Sequence, residues 1–322
     1  MATIETALTR LLGIQHPILL APMGSAAGGK LAAAVTHAGG LGIVGSGYAD
    51  EKVMRRELSE AGNARVGIGF IQWALDKNPS VLEAALDARP ALVMLSFGDP
   101  GRYIPRIKAA GSRIVCQVQT LEQAKQAAAA GADIIIAQGR DAGGHSGTTR
   151  GTMGFVPAVV DAVGPIPVVA AGGIADGRGL AAALALGAAG VLMGTRFATT
   201  AESLWDHAMK EKAVASGGDQ TAQTRVFDIV RGAPWPAIYP GRALRNEFFD
   251  RWHGNEEALQ DERPQAEAGY LGTAMNDFSQ RVVWAGEGVD LVRDIPSARE
   301  LIERIVAEAA AVLRGGTALL RG

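Results

Sequence analysis

One alternation of apolar and polar positions dominates the chain. An alanine-rich stretch at helical spacing stops at a small residue or glycine, and a short β-branched run follows: VTHAGGLGIV, LSEAGNARVGIGF, IKAAGSRIVCQV, AAAAGADIIIA and LALGAAGVLMG. Glycine just past a helix supplies the left-handed cap, and unbroken apolar runs such as IIIA mark strands of a parallel sheet covered on both faces. The pattern predicts eight strands, PILLAPM, LGIVGS, RVGIGFI, ALVMLSF, RIVCQVQ, DIIIAQG, PVVAAGG and GVLMGTRF, each followed by helical sequence. Eight such units predict an α/β fold, a (β/α)8 TIM barrel. An open doubly wound sheet has the same order of elements and stays as the alternative.

The rhythm breaks after about Ala201. The stretch 216–290 carries Pro234, Pro236, Pro240 and Pro264, most of the tryptophans and the polar run GNEEALQDERPQAE. It reads as a smaller, irregular and α-rich capping domain over the barrel mouth, following a barrel at 1–215. The finish, 291–322, contains SARELIERIVAEAAAVLRG, amphipathic at helical spacing, with Ser297 as N-cap and Glu300 closing a capping box. It is expected to pack on the outside of the barrel. A length of 322 residues suits one barrel with an appendage.

Composition narrows the function. Apolar residues make up 48% of the chain, enough for a large core. The net charge is −2, with acids and bases interspersed, which argues against a nucleic-acid partner and for a small molecule. Cys116 is the only cysteine, so there is no disulfide framework or thiolate metal cage, and it reads as a small buried hydrophobe in a reducing compartment. The first residues carry Glu5 and Arg10 without an apolar signal core, and the longest apolar run, Ala181 to Gly194, is shorter than the ~20 residues that cross a bilayer. No membrane partner and a cytoplasmic location are expected.

Histidine is scarce, yet His145 stands in AQGRDAGGHSG among Gly139, Gly143, Gly144 and Gly147. The stretch follows the sixth predicted strand, on the C-terminal face where barrel enzymes place their chemistry. Glycines there let the main chain approach a flat ligand, and an imidazole among them can reach a substrate. The competing reading is a loop histidine bonded only to its own backbone. VVAAGGIADGRG and VLMGTRFATT follow the seventh and eighth strands, the usual pair for a phosphate. Gly172, Gly173, Gly194 and Thr195 would offer main-chain N–H groups, and a helix start near Asp176 would add a favourable dipole.

Other spellings fail on context. GLGIVG leads into a strand rather than out of one, and GHSGT ends in Thr148 where a nucleophile elbow has glycine. His16, His37, His207 and His253 lack spaced partners for a metal and read as structural. Trp235, Tyr239, Trp252 and Trp284 read as core or interface aromatics and are left out of the site.

Together, HPILLAPMG, AGGLGIVGSG, VGIGF, AQGRDAGGHSG and IPVVAAGGIADGRGLAAALALGAAGVLMGTRF resemble the FMN-dependent nitronate monooxygenase family, over about Gly13 to Ser203. The resemblance implies a barrel with a C-terminal domain over its mouth and FMN as cofactor. Pro22, Met23 and Gly24 would run beside the flavin ring, with Gly69 and Gln117 near its polar edge. Gln138, Gly143 and Gly144 would border the ring and ribityl chain, and Gly172, Gly173, Gly194 and Thr195 would hold the phosphate. His145 falls on the family's catalytic histidine. Some relatives carry lysine or histidine in place of Gln117, and asparagine or threonine near Gly69 and Phe70. The partners implied are a nitronate or nitroalkane and dioxygen, with a homodimer as an assembly to test.

Three readings stay open. The first is oxidation of alkyl nitronates, such as propionate 3-nitronate, with dioxygen to a carbonyl product and nitrite. APMG at Ala21 to Gly24, where related reductases more often show a doubled glycine before the methionine, tilts toward it. The second is an FMN-dependent NAD(P)H reductase of the enoyl-acyl-carrier-protein or quinone type. The third is a non-redox barrel that binds a phosphorylated metabolite.

Overall fold

In the computed structural model, which describes residues 3–316, the apolar runs form β1 (Ile18–Leu20), β2 (Ile43–Gly45), β3 (Gly67–Ile71), β4 (Leu92–Ser96), β5 (Arg113–Val118), β6 (Ile134–Gln138), β8 (Val168–Ala171) and β9 (Gly190–Met193). The two-residue strand β7 (Gly144–His145) lies outside this sheet. All eight pair in parallel, in the order β1-β9-β8-β6-β5-β4-β3-β2. A parallel bridge between Leu19 and Leu41 joins the two ends, with Leu41 N–H donating to Ile18 O at 3.0 Å and Leu20 N–H to Leu41 O at 3.0 Å. The sheet is therefore a TIM barrel and not an open doubly wound sheet.

The unbroken apolar strands follow from burial on both faces. Leu19, Ile43, Leu92, Met94, Val115, Ile134, Ile136, Val169 and Leu192 fill the barrel interior together with Leu8 and Leu12. Their alternate neighbours, among them Ile18, Leu20, Val44, Val93, Leu95, Ile114, Ile135, Val168 and Val191, pack outward against the helices. The helix Ala7–Leu12 plugs the floor, tied by the Thr6 hydroxyl donating to Ala189 O at 2.6 Å. Cys116 sits in the outward core, and burial pushes its thiol up to about 12, so it is an inert apolar group. His16 is buried with Nδ1 unpartnered, and burial lowers its pKa.

Two predicted strands are shorter than their apolar runs. β1 stops at Leu20, before Pro22, which has no N–H to give a ladder. β9 stops at Met193, and Thr195–Ala198 turns into a helix. That turn buries Arg196, whose guanidinium pairs with Asp294 at 2.5 Å and fastens the C-terminal segment to the barrel.

A second sheet, β10 (Thr221–Thr224) and β11 (Gly241–Leu244), is antiparallel and takes β7 as its third strand, in the order β10-β11-β7. Short helices around it bury Phe227, Phe248, Phe249, Trp252, Leu259 and Tyr270 in a separate core. The last helix, Ala298–Gly316, starts as its sequence requires: Glu300 N–H donates to Ser297 Oγ at 3.2 Å, and Ser297 N–H to Glu300 Oε2 at 3.0 Å. It packs on the helix Gly177–Ala185. The start of that second helix is already filled, with Gly179 N–H on the Asp176 carboxylate at 3.0 Å and Gly177 N–H on Glu308 at 2.8 Å. It is therefore not the free dipole the sequence suggested.

At Gly177 a Cβ would overlap the backbone of Ile305 and Ala309, so only hydrogen lets these helices meet. Gly177→Ala is expected to cost about 1–3 kcal/mol of stability through overpacking, read from the midpoint of urea unfolding.

Candidate active site

The ends of the barrel strands bring Pro22, Met23, Gly24, Gly69, Gly172, Gly173, Gly194 and Thr195 to one rim. Gly69 lies against the Pro22 ring, Gly24 against the Gly47 backbone, and the Met23 sulfur beside Gly194. Thr195, next in sequence, reaches Gly143 across the rim, since a Cβ on Gly143 would stand 3.0 Å from Thr195 Oγ1. Gly172 and Gly173 follow β8 with φ of 112° and 69°, conformations that keep side chains off the inner surface of the turn.

A loop from the C-terminal segment joins those of Gly143, Gly172–Gly173 and Gly194–Thr195 as a fourth. Gly286 N–H donates to Thr195 Oγ1 at 3.0 Å. A Cβ on Gly286 would stand 2.8 Å from Gly143 N, and one on Gly288 would meet the Gly173 carbonyl at 2.5 Å. Four loops thus touch at one place, three of them through bare main chain and one through the Thr195 hydroxyl. The spelling AGEG at Ala285–Gly288 could have flagged the fourth, but nothing local tells such a loop from an ordinary turn.

His145 is positioned by the second sheet. It pairs with Gly241 and Gly144 with Arg242, while Ser146 N–H donates to Pro240 O at 3.1 Å. Arg242 is buried and staples three segments: Nε donates to Arg140 O at 3.2 Å, one terminal nitrogen to Thr221 Oγ1 at 3.1 Å, and the other pairs with Glu287 at 2.8 Å. From the barrel side, Gln138 Nε2 donates to the His145 carbonyl at 3.1 Å. Gln138 Oε1 in turn accepts from Gln117 at 3.1 Å and from Gln119 at 2.9 Å. Gln119 was not singled out by the sequence, and its own Oε1 is buried without a partner.

The imidazole meets a carboxylate. His145 Nε2 lies 2.9 Å from Asp228 Oδ2, and the two side chains are only 11% and 6% exposed. Asp228 sits on the short helix Val226–Val230, between the buried side chains of Phe227 and Ile229, and Arg231 holds its other oxygen at 3.2 Å. A carboxylate so enclosed needs both partners. It also fixes the ring: Nε2 carries the proton that Asp228 accepts, and Nδ1, with no hydrogen-bond partner among the described residues, keeps its lone pair. His145 is thus not the self-bonded loop histidine of the competing reading.

Aromatic rings enclose the pair, contrary to their assignment away from the site. Trp235 stacks on His145 at 3.5 Å and 7° between planes, and Trp284 lies 5.1 Å from the ring. Phe97 and Tyr239 pack edge-on around Trp235. Phe97 holds φ at +65°, an uncommon conformation for a bulky residue that aims its ring into this cluster. Trp252, by contrast, belongs to the core of the second sheet.

Among the described residues, no group of three or more His, Cys, Asp or Glu could hold a metal ion, and no helix is long and apolar enough to cross a membrane. A closed (β/α)8 barrel with an enclosed imidazole–carboxylate pair beside main-chain loops at its C-terminal rim defines a barrel enzyme. The chain belongs to the nitronate monooxygenase family, whose model matches residues 5–67 and 71–308. It is 34% identical to a nitronate monooxygenase of Pseudomonas aeruginosa, over 93% of this chain and 98% of that one. It is 33% identical to a Rhodococcus jostii "(3aS,4S,5R,7aS)-5-hydroxy-7a-methyl-1-oxo-octahydro-1H-indene-4-carboxyl-CoA dehydrogenase", over 96% and 97% of the two chains. The structure of FabK from Thermotoga maritima superposes with a TM-score of 0.86 at 33% identity, covering 99% of this chain and all of that one. With its family, the protein is a flavin-dependent oxidoreductase, which removes the non-redox barrel from consideration.

In nitrogen NMR spectra, the neutral His145 ring is expected as the Nε2–H tautomer alone. Asp228→Asn, whose amide can donate as well as accept, should give a mixture; an unchanged single tautomer would show that Asp228 does not set the proton's place.

Proposed function

We propose that this enzyme binds FMN and oxidises alkyl nitronates, propionate 3-nitronate among them, with dioxygen to a carbonyl product and nitrite. The single observation that carries the reading is the His145–Asp228 pair, with Nδ1 left free, on the loop shared with the glycine-lined rim.

The residues present fit the cofactor. Glycine hydrogens line the meeting point of the four loops, so bare N–H groups can turn toward a phosphate without steric cost. Gly172, Gly173, Gly194 and Thr195 would hold that phosphate, with Gly286 bracing the Thr195 hydroxyl from the fourth loop. Pro22, Met23 and Gly24 would flank the ring, Gly69 and Gln117 its polar edge, and Gln138, Gly143 and Gly144 the ring and ribityl chain. The unpartnered Oε1 of Gln119 supplies a buried acceptor beside the same glutamines. Bound there, FMN supplies the redox chemistry, and the protein supplies orientation, exclusion of water and charge.

For a neutral nitroalkane, His145 Nδ1 takes the proton from the carbon bearing the nitro group. The imidazolium formed is held by Asp228 and faces the anionic nitro oxygens. Asp228 stabilises that cation and keeps the ring from turning. For a substrate already supplied as nitronate, the proton transfer is unnecessary and the charge contact remains. The aromatic cluster keeps water from the imidazole, and burial raises the Tyr239 phenol, so this wall stays neutral.

A second reading has its own support: the Rhodococcus relative is a dehydrogenase of a CoA thioester, and the FabK structure matches along the whole chain. On that reading, a flavin held by the same residues would pass reducing equivalents from NAD(P)H to an enoyl thioester or a quinone. Anaerobic mixing separates the two, because bleaching of the flavin by NADH with no response to propionate 3-nitronate would replace the first reading with the second.

His145→Asn is expected to retain FMN and to lower nitroalkane turnover by about 10²- to 10⁴-fold, with a smaller loss for the preformed nitronate. Equal turnover of both substrates before and after the change would remove His145 from the mechanism. Gly286→Val should lower the flavin-to-protein absorbance ratio of the purified enzyme, because its side chain would push into Asp141 and Gly143. Full FMN content in that variant would place the phosphate elsewhere.

A further inference from the structure

One loop at the barrel mouth carries a polar group that the proton transfer to His145 does not use. Ser46, just after β2, gives both its N–H and its hydroxyl to the Gly69 carbonyl, at 3.1 and 2.7 Å. Gly47 packs its backbone on Gly24. The loop is thus fastened to two of the glycine stretches that would lie beside the flavin ring. Tyr48 stands between Gly47 and Ala49, both of which hold φ at +58°. For alanine such a conformation costs about 1–3 kcal/mol, so Tyr48 is held in its place against local strain. The turn sets the Tyr48 ring 5.8 Å from Trp73 and 6.5 Å from Trp235 between centroids, and leaves the residue 46% exposed.

The Tyr48 hydroxyl accepts but does not yet donate. Trp235 Nε1–H gives it a hydrogen bond at 3.1 Å, while the phenolic proton has no acceptor among the described residues. Burial of the packed part of the ring pushes the phenol up, against the pull of the Trp235 N–H and of Arg231 and with a contribution from Asp228, so Tyr48 keeps that proton. The indole that fixes the hydroxyl also stacks on His145 at 3.5 Å. Imidazole and phenol therefore share one side chain, the first on its face and the second at its N–H edge, and a small ligand can span the two with Trp235 in place. We propose that Tyr48 is the second polar group to touch the substrate, donating its O–H to an oxygen of the nitro or nitronate group. When His145 Nδ1 takes the proton from carbon, the C–H electron pair passes into the nitro group and its oxygens gain the charge. A donor there acts more strongly on the anion than on the neutral nitroalkane, and the bond from Trp235 strengthens it further by polarising the hydroxyl. The identity of this oxyanion rests on the nitronate reading, whereas the unmet phenolic donor does not depend on it.

Tyr48→Phe removes the donor and keeps the ring that packs on Trp73 and Trp235. In calorimetric titration of the FMN-loaded enzyme, nitrate, a planar oxyanion with no carbon to deprotonate, is expected to bind the variant at least about 10-fold more weakly than the wild type. Turnover should divide by substrate. Propyl-1-nitronate is charged when it binds, so its KM should rise about 10-fold with kcat unchanged; 1-nitropropane gains its charge only in the transition state, so its kcat should fall about 10-fold with KM unchanged. Equal nitrate affinity in the two proteins, or no nitrate binding by the wild type, would overturn the assignment. So would equal losses of kcat on both substrates, which mark a residue that only packs. Failure of the wild type to oxidise propyl-1-nitronate would count against the nitronate reading alone, because the nitrate titration reads Tyr48 without turnover.

Discussion

The main-chain pairing of His145 with Gly241 is the contact on which the mouth of this barrel depends. A loop so rich in glycine has little to fix its own path, and ordering it costs more conformational entropy than an equal length of other residues. The second sheet offsets that cost by accepting the loop as an edge strand. The same pairing brings the helix Val226–Val230 within reach, so that Asp228 meets the ring it holds. Remove the pairing, and the imidazole loses its direction and its partner together.

The glutamines and Arg242 show the same economy. Gln138 ends a barrel strand, yet its amide reaches over to the His145 carbonyl, and Gln117 and Gln119 keep that amide turned the right way. Arg242 ends up buried because three separate segments supply its acceptors, an arrangement that costs little only while all three are present. Barrel and second sheet are therefore coupled through buried polar groups whose partners lie on both sides. Movement of one against the other would leave donors unmet, which keeps the rim in the geometry its chemistry requires.

The aromatic cluster adds a different constraint. Trp235 covers one face of the imidazole, with its own N–H donating to the Tyr48 hydroxyl at 3.1 Å. The ring excludes water from a carboxylate–imidazole pair that would be weakened by it. Any substrate approaching that face meets indole first, so the same side chain that protects the pair also restricts what reaches it.

Much of the barrel was written locally. Period-two burial of unbroken Val, Ile and Leu runs, glycine stops after helices, and the Ser297–Glu300 box are decided by residues a few positions apart, and each stands where its pattern puts it. The glycine loops and His145 were legible for the same reason, since strand order alone assigns them to one rim. Asp228, Trp235, Gln119 and the AGEG loop were not. Their importance comes from meeting residues 83 positions away in the case of Asp228 and His145, and 91 in the case of Gly286 and Thr195. A short apolar helix with one acid, or a tryptophan among prolines, looks the same in a chain whether it packs on the imidazole at the barrel mouth or on nothing. Contacts of that span depend on where the whole backbone travels, and only the folded molecule supplies that path.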